Sequence, residues 1–483
     1  MPIAIPTHPQ PTPHPHLPPP LGDLSVWQKS TRDHPLLNAG KDESLPQTAD
    51  VVIIGSGMCG AMTAHTLLSA EDRPASVVVL EAREICSGAS GRNAGHCRPD
   101  ASRGYTAFSE FHGSEQAKHI LSSEADVLER VDAFVKANHI ECEWTRRDTY
   151  DVCLSDEFKK YSETALDTFK AAGGDPPLTQ LESDQAQKET RVKSAVAAHR
   201  WPAATLNPAK LTLAIHTLNQ NLGGYSLYAF APVHSVDCSD DGVHWTVMTP
   251  RGSVKAKQVV FATNAYSQAL VPEMKDLIVP TRAQALKLST PPNGLDKFPR
   301  IEGSYSLRYL PQHFYSVASR PDNSVVLGTS RGWKGMPASL RESIVNTVDD
   351  SSPSKDITIN AYETYCKLLP EGGWDAKGVE NGEAVGLEYA WTGIIGMTPD
   401  AVPFIGPVPG KDGQFVAAGF NGHGMARIFL CAPALANYML HGEWDPEMPK
   451  AFIATEKRLT KLRSGLKKNL VDATGGDLSK MTI

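Results

Sequence analysis

The stretch VVIIGSGMCGAMTAHTLL, Val51 to Leu68, decides the fold. A short apolar run of buried-strand type leads into three glycines at G-x-G-x-x-G spacing, and a helical pattern follows. Gly55 permits the tight turn, Gly57 lets a pyrophosphate approach the backbone, and Gly60 lets the helix pack closely on the strand. The amino end of that helix offers free N–H groups and the positive end of its dipole to phosphates. A second strand, SVVVLE, ends at Glu81, 21 residues past Gly60. A carboxylate there accepts hydrogen bonds from both hydroxyls of an unphosphorylated ribose. These pieces open a parallel β-α-β unit that holds a dinucleotide, and to this point a nicotinamide and a flavin fit equally.

The next segment separates them. EAREICSGASGRNAGH, Glu81 to His96, adds a second glycine-rich backbone run directly after the acid. A nicotinamide dinucleotide has no need of it, whereas a cofactor that extends across the domain to a bulky ring does. The expected contacts are Gly55, Ser56, Gly57, Met58, Cys59 and Gly60 in the turn, Glu81, Ala82 and Arg83 at the acid, and Ser90, Gly91, Arg92, Asn93, Ala94, Gly95 and His96 beyond it. Strands return over 226–262, broken by the hairpin turns Asp240-Asp241-Gly242 and Arg251-Gly252. DGQFVAAGFNGHGMARIFLCAPALANYML is again strand, glycine turn and helix.

With this ordered set of motifs the chain resembles the D-amino-acid oxidase superfamily of flavoproteins from about residue 50 to 445. The resemblance implies FAD as cofactor, with Val233 beside the adenine, Thr263 and Asn264 in VVFATNAYS near the pyrophosphate, and Gly422, His423, Gly424 and Met425 in the final flavin loop GFNGHGM. It implies an α/β fold: a Rossmann-like FAD-binding domain of the glutathione reductase type, with an inserted α+β substrate domain on a mixed or antiparallel sheet. The cofactor domain is expected to be discontinuous, over 48–108, 200–270 and 385–445. The substrate domain would take 109–199 and 271–384, with a Pro-rich tail and lead-in over 1–45 and a C-terminal extension over 446–483. Residues 115–190, polar and helical in period, read as scaffold.

The implied reaction is oxidation of a C–N bond by hydride transfer to flavin, giving an imine and, with molecular oxygen as acceptor, hydrogen peroxide. A dehydrogenase using another acceptor and a flavin-binding protein without turnover are the alternatives; an NAD-dependent dehydrogenase explains only Gly55 to Glu81. In the superfamily an arginine before the T-x-D-x-x-P-x-I-G run grips the substrate carboxylate, and in WTGIIGMTPDAVPFIG its place is taken by Ile395. The lysine of the sarcosine oxidase loop is replaced by Ala426, with Arg427 adjacent; that enzyme's flavin-linking cysteine falls at Gly393, and its oxygen-assisting lysine near Val326. The substrate is therefore expected to be a small-molecule amine other than a simple α-amino acid, as in the γ-glutamylputrescine oxidase branch. Pocket and catalytic candidates are His423, Arg308, His313 and Tyr315, with Tyr309, Arg331 and Trp333 as further lining. His96 is assigned a non-covalent polar role rather than a covalent link to flavin, and Cys59 and Cys97 are read as packing residues.

Composition bounds the rest. The 483 residues are 41% hydrophobic and 21% charged, enough to bury a large core, and a net charge of −7 gives no basic field for nucleic acid. No apolar run approaches the roughly 20 residues that span a bilayer. Eight cysteines without C-x-x-C pairs, together with the absence of a secretory pattern, suggest a reducing, cytoplasmic setting. Prolines between His8, His14 and His16 prevent a compact metal site, and no metal is expected.

Overall fold

The computed structural model describes residues 17–20, 22–240 and 242–473. The tail histidines His8, His14 and His16, and Asp241 of the first hairpin turn, lie outside the described residues.

Two sheets organise the chain. In the first, strands lie side by side in the order Phe404–Pro407, Gln414–Ala418, Gly252–Phe261, Thr48–Ile54, Val77–Leu80, Tyr225–Tyr228. The four strands from Gly252–Phe261 to Tyr225–Tyr228 pair in parallel, as does Gln414–Ala418 with Gly252–Phe261. Val51 to Ile54 and Val77 to Leu80 are buried throughout, as a parallel sheet covered on both faces demands. The antiparallel strands Ser235–Cys238 and Trp245–Thr249 extend this sheet through the expected hairpins. Helices Met58–Ser69, Pro208–Leu222 and Ile428–His441 pack together on one face, with Ile53, Leu67, Leu213 and Leu435 in one core.

The second sheet runs Leu387–Met397, Val279–Leu288, Val325–Gly328, Phe314–Ser319, Ser304–Arg308, Thr145–Cys153, Ala197–Thr205, His96–Cys97. It is mixed: Ser304–Arg308 pairs in parallel with Thr145–Cys153, while the remaining pairs are antiparallel. The α/β architecture is thus the expected one. Several strands cross the expected segment boundaries. His96–Cys97, Ala197–Thr205 and Leu387–Met397 all belong to the second sheet, because their hydrogen-bond partners lie there.

One segment differs from its sequence reading, and two others dock on the core. Residues 115–190 are not helical scaffold alone, since strands Thr145–Cys153 and Thr179–Glu182 interrupt the helices. The C-terminal segment docks: Leu459 and Leu462 of helix Glu456–Ala473 are buried against the first sheet, and Arg458 holds Asp400 at 2.8 Å. The lead-in also docks, through Ser25, which caps the short helix Val26–Lys29, and Trp27, whose indole N–H donates to the Asn93 carbonyl at 2.6 Å.

Candidate active site

A cavity of about 620 Å³ lies between the two sheets, within the range of cofactor and ligand sites. At one end it is lined by Gly55, Gly57, Glu81, Ala82, Arg83 and Val233, and at the other by Arg308, Arg331, Ile395, Gly422 and His423.

The turn at the first end is set by sterics. Gly55 has φ +107°, and a Cβ there would lie 2.6 Å from the Ala262 carbonyl oxygen. A Cβ on Gly60 would lie 2.1 Å from the Gly55 oxygen, so helix and strand meet backbone to backbone. Glu81 is held from both sides: Ser56 N–H and Oγ–H donate to Oε2 at 3.0 and 2.7 Å, and Arg83 N–H donates to Oε1 at 3.1 Å. Ser90 Oγ accepts from Met58 N–H at 2.8 Å, tying the second glycine-rich segment to the amino end of the helix. Asn264 joins the remaining motifs, its Oδ1 accepting from the Gly419 and Phe420 N–H groups at 3.1 and 3.2 Å. Five separate stretches of sequence therefore converge on one wall, with glycines where a ligand's phosphates would meet backbone. These residues fit FAD.

Of the contacts expected from sequence, Gly55, Gly57, Cys59, Glu81, Ala82, Arg83, Ser90, Arg92, Asn93, Ala94, His96, Val233, Thr263, Asn264, Gly422, His423, Gly424 and Met425 line the cavity. Ser56, Met58, Gly60, Gly91 and Gly95 stand behind that wall and shape it. Burial, with Arg98 and Arg147 adding like-charge repulsion, pushes the His96 imidazole down to about 3, so it is neutral, and its buried Nε2 has no hydrogen-bond partner among the described residues. Cys59 and Cys97 are buried thiols pushed up to about 12 by desolvation, as packing residues would be.

The pocket candidates divide by strand alternation. Ser306, Arg308, Phe314 and Ser316 face the cavity, whereas Tyr305, Leu307, Tyr315 and Val317 enter the core on the opposite face. Tyr315 is therefore not a cavity residue; its hydroxyl donates to Asn360 Oδ1 at 2.6 Å. His313 also stands outside, stacked on Tyr309 with ring centroids 4.7 Å apart, and Trp333 packs beside Met336. Strand alternation turns Tyr315 into the core, while His313 and Tyr309, in the turn between Ser304–Arg308 and Phe314–Ser319, and Trp333, in the loop after Val325–Gly328, pack outside the cavity.

Several residues at the site went unremarked in the sequence. Asp151, on Thr145–Cys153, is buried; burial would raise its pKa, but Arg308, Arg98 and Arg103 outweigh that and hold it far below the usual range. Arg98 and Arg308 donate to its Oδ1 at 2.8 and 2.6 Å, and Arg103 sits 3.6 Å from Oδ2 and 2.9 Å from Asp100. Glu124, on helix Ser114–Ala137, is fully buried beneath the final glycine loop. Arg427 Nε–H donates to its Oε1 at 2.7 Å, and Asp100 N–H to its Oε2 at 2.7 Å; His423 Nδ1 lies 3.4 Å from that same oxygen. Burial works against the charge, yet Arg427 and His423 hold Glu124 at about 2. Asp350 accepts from both terminal nitrogens of Arg83, at 2.8 and 3.1 Å, and lies 3.4 Å from Arg92. No sequence spacing links these acids to their arginines, since the partners come from distant strands and helices.

Comparison with known proteins places this architecture. A family model described as DAO, FAD dependent oxidoreductase, matches residues 50–438. The probable oxidoreductase OrdL of Haemophilus influenzae is 22% identical over 441 residues, covering 86% of this chain and 89% of that protein. Gamma-glutamylputrescine oxidoreductase of Escherichia coli is 24% identical over 405 residues, covering 82% and 84%. Among solved structures, glycine oxidase from Geobacillus kaustophilus superposes with a TM-score of 0.65 at 20% identity, over 85% of this chain and 99% of that one. L-proline dehydrogenase from P. horikoshii gives 0.65 at 18%, over 87% and 99%. These two structures share the fold.

Proposed function

The chain belongs to the DAO family of FAD-dependent oxidoreductases, acting on amine or amino-acid substrates, and from that premise we propose that it oxidises the C–N bond of an amine other than a simple α-amino acid. The observation that carries this reading is one continuous cavity, with Glu81 and the glycine turn at one end and an acid-backed imidazole, His423, at the other. The chemistry FAD supplies when bound is acceptance of a hydride from the carbon next to the amine.

The chain's own residues do the rest. Gly55, Gly57 and the helix amino end take the pyrophosphate, Glu81 the ribose, and Val233 the adenine. An amine releases hydride from its α-carbon only when its nitrogen is neutral, so the site must accept a proton. His423 suits that role, because Glu124 fixes Nδ1 as the proton-bearing nitrogen and leaves Nε2 as the acceptor. Phe108, Phe111, Tyr161 and Phe314 line the same space, excluding water and offering ring faces to a cationic amine. Ile395 puts a methyl-bearing side chain in the cavity where the resemblance puts the carboxylate-gripping arginine. An α-amino acid held in that way is disfavoured, and a γ-glutamylputrescine-like amine, with its carboxylate remote, fits better.

With molecular oxygen as acceptor the products are the imine and hydrogen peroxide. One observation favours a second reading, transfer to another acceptor: among the described residues no lysine lines the cavity, and Val326 is buried in the core. The test is direct. Purified protein should be yellow and release its flavin on denaturation; a colourless protein overturns the reading. A panel of secondary amines, amino acids and polyamines is then assayed for peroxide and for dye reduction. Peroxide supports the oxidase, dye reduction without peroxide selects the second reading, and a preference for glycine or D-alanine contradicts the argument from Ile395.

A further inference from the structure

Buried arginines are expected to be paired, because a desolvated guanidinium without an anion is costly. Among the described residues the cavity wall obeys this with one exception. Arg83 and Arg92 share Asp350, Arg98, Arg103 and Arg308 share Asp151, and Arg427 has Glu124. Arg331 lines the same cavity, half buried, and no carboxylate among the described residues pairs with it. Among the described residues the one polar contact of its side chain is a weak N–H to Met397 Sδ, at 3.5 Å. Burial alone pulls its pKa down, with no opposing charge.

The side chain rises from a rigid base. Thr329, two residues earlier, ties both its N–H and its hydroxyl to the Gln284 carbonyl, at 2.9 and 3.0 Å. The hydroxyl of Ser330, itself buried, donates to the Gly332 carbonyl at 2.6 Å. Arg331 is therefore presented, not trailing, and its guanidinium reaches Met397, two residues beyond Ile395 on the same face of Leu387–Met397. A step of two strand residues is about 6.8 Å. A cation absent at position 395 is thus supplied from the segment that follows strand Val325–Gly328, with Val279–Leu288 lying between that strand and Leu387–Met397, at a displaced point in the same cavity.

We propose that Arg331 anchors an oxyanion of the substrate, a carboxylate in the first instance, so that the amine oxidised here is an acidic one and not a polyamine. The inference rests on the amine-oxidising reading above and narrows it. A guanidinium fork takes a carboxylate through two parallel hydrogen bonds, and the free charge on Arg331 rejects a second ammonium in its neighbourhood.

The test uses the flavin-loaded protein and needs no turnover. Acetate, pentanoate and benzoate are titrated while the flavin absorbance is followed, each against its neutral amide, in wild type, Arg331→Met and Arg331→Lys. At least one acid should perturb the wild-type spectrum and bind at least ten times more tightly than its amide. Arg331→Met should weaken that acid by about 30-fold, the worth of a charge-assisted pair at a partly buried site. Arg331→Lys, which keeps the charge and the fold but loses the fork, should fall between, and the flavin midpoint potential of the free enzyme should be unchanged in both. The proposal is overturned if none of the three acids binds the wild type, if amides bind as well as acids, or if Arg331→Met retains acid binding. It is also overturned if both variants lower the flavin potential while acid binding holds, since the charge would then serve the cofactor. A protein that carries no flavin defeats the earlier reading instead, so the two failures are separable.

Discussion

Replacing Glu124 by leucine tests whether the buried acid under the final glycine loop acts on chemistry through His423 or only on folding. Glu124 is fully buried and receives Arg427 Nε–H and Asp100 N–H, each at 2.7 Å, with His423 Nδ1 at 3.4 Å. Glu124→Leu leaves the Arg427 guanidinium, 1% exposed, without its anion, a loss of about 3–5 kcal/mol. Arg427 keeps the Ala401 carbonyl at 3.2 Å and the rings of Phe108 and Phe452, which soften the loss toward the lower figure. The stability term is removed by a second change: Glu124→Leu with Arg427→Met replaces the pair by apolar side chains of similar volume, which is often neutral. The catalytic term is not removed, because His423 has still lost the acceptor that fixes its tautomer. Misdirecting a general base costs about 10²-fold in rate. Thermal unfolding followed by flavin fluorescence, with rapid-reaction flavin reduction by the best amine of the panel, separates the two. The single variant should lose stability and rate, and the double variant should regain stability while reduction stays about 10²-fold slow. Recovery of both in the double variant refutes the role assigned to His423.

Three further outcomes follow from the geometry. Gly55→Ala places a Cβ 2.6 Å from the Ala262 oxygen at φ +107°, a strain on the order of 3 kcal/mol, and the purified protein should carry far less flavin than wild type by absorbance ratio. Asp350→Ala strands Arg83 and Arg92 together, and those arginines also hold the Pro19 and Asp23 carbonyls at 3.4 and 2.8 Å; limited proteolysis should then cut near residues 17–38 and FAD should dissociate faster. His216 donates Nε2–H to the Ser56 carbonyl at 2.8 Å behind the glycine turn, and burial pushes its imidazole down to about 4, that hydrogen bond opposing. Because the folded pKa lies below the unfolded value of 6.5, the unfolded chain binds the extra proton between pH 6.5 and 4. Stability therefore falls as pH drops through that window, by about 2 kcal/mol at pH 5, and His216→Gln should flatten the profile of melting temperature against pH there.

The parts of the fold that could be read from sequence are those whose signal is local. Gly55, Gly60 and Glu81 announce a turn because backbone contact excludes a Cβ at the two glycines and a fixed strand length sets the acid, both properties of a short stretch. Strand Thr145–Cys153 was hidden for the opposite reason. TRRDTYDVC is polar on the exposed side and takes its partners from Ser304–Arg308 and Ala197–Thr205, far away in sequence, and it lies between two strongly helical segments that dominate any windowed pattern. Strands Ala197–Thr205 and Leu387–Met397 take their places in the second sheet for the same reason, since the sheet to which a strand belongs depends on its neighbours and not on its own residues.

The site shows the same division more sharply. In the sequence Arg331 and Arg427 look alike, each a basic residue beside a glycine run, and Arg427 is the one adjacent to the superfamily's lysine position. In the structure their meanings reverse. Arg427 is saturated by Glu124, which reaches it from 303 residues away, so its charge is spent within the protein. Among the described residues Arg331 has no such acid, so its charge remains for whatever enters the cavity. Tyr315 and Phe314 make the same point for shape: adjacent aromatics on one strand, one in the core and one in the cavity, told apart only by the phase of an alternation that the partner strand sets. Which charges a pocket offers its ligand is a difference between a residue and its tertiary neighbours. A sequence records the first of these and not the second, and that is why the cofactor's outline was readable here while the substrate's was not.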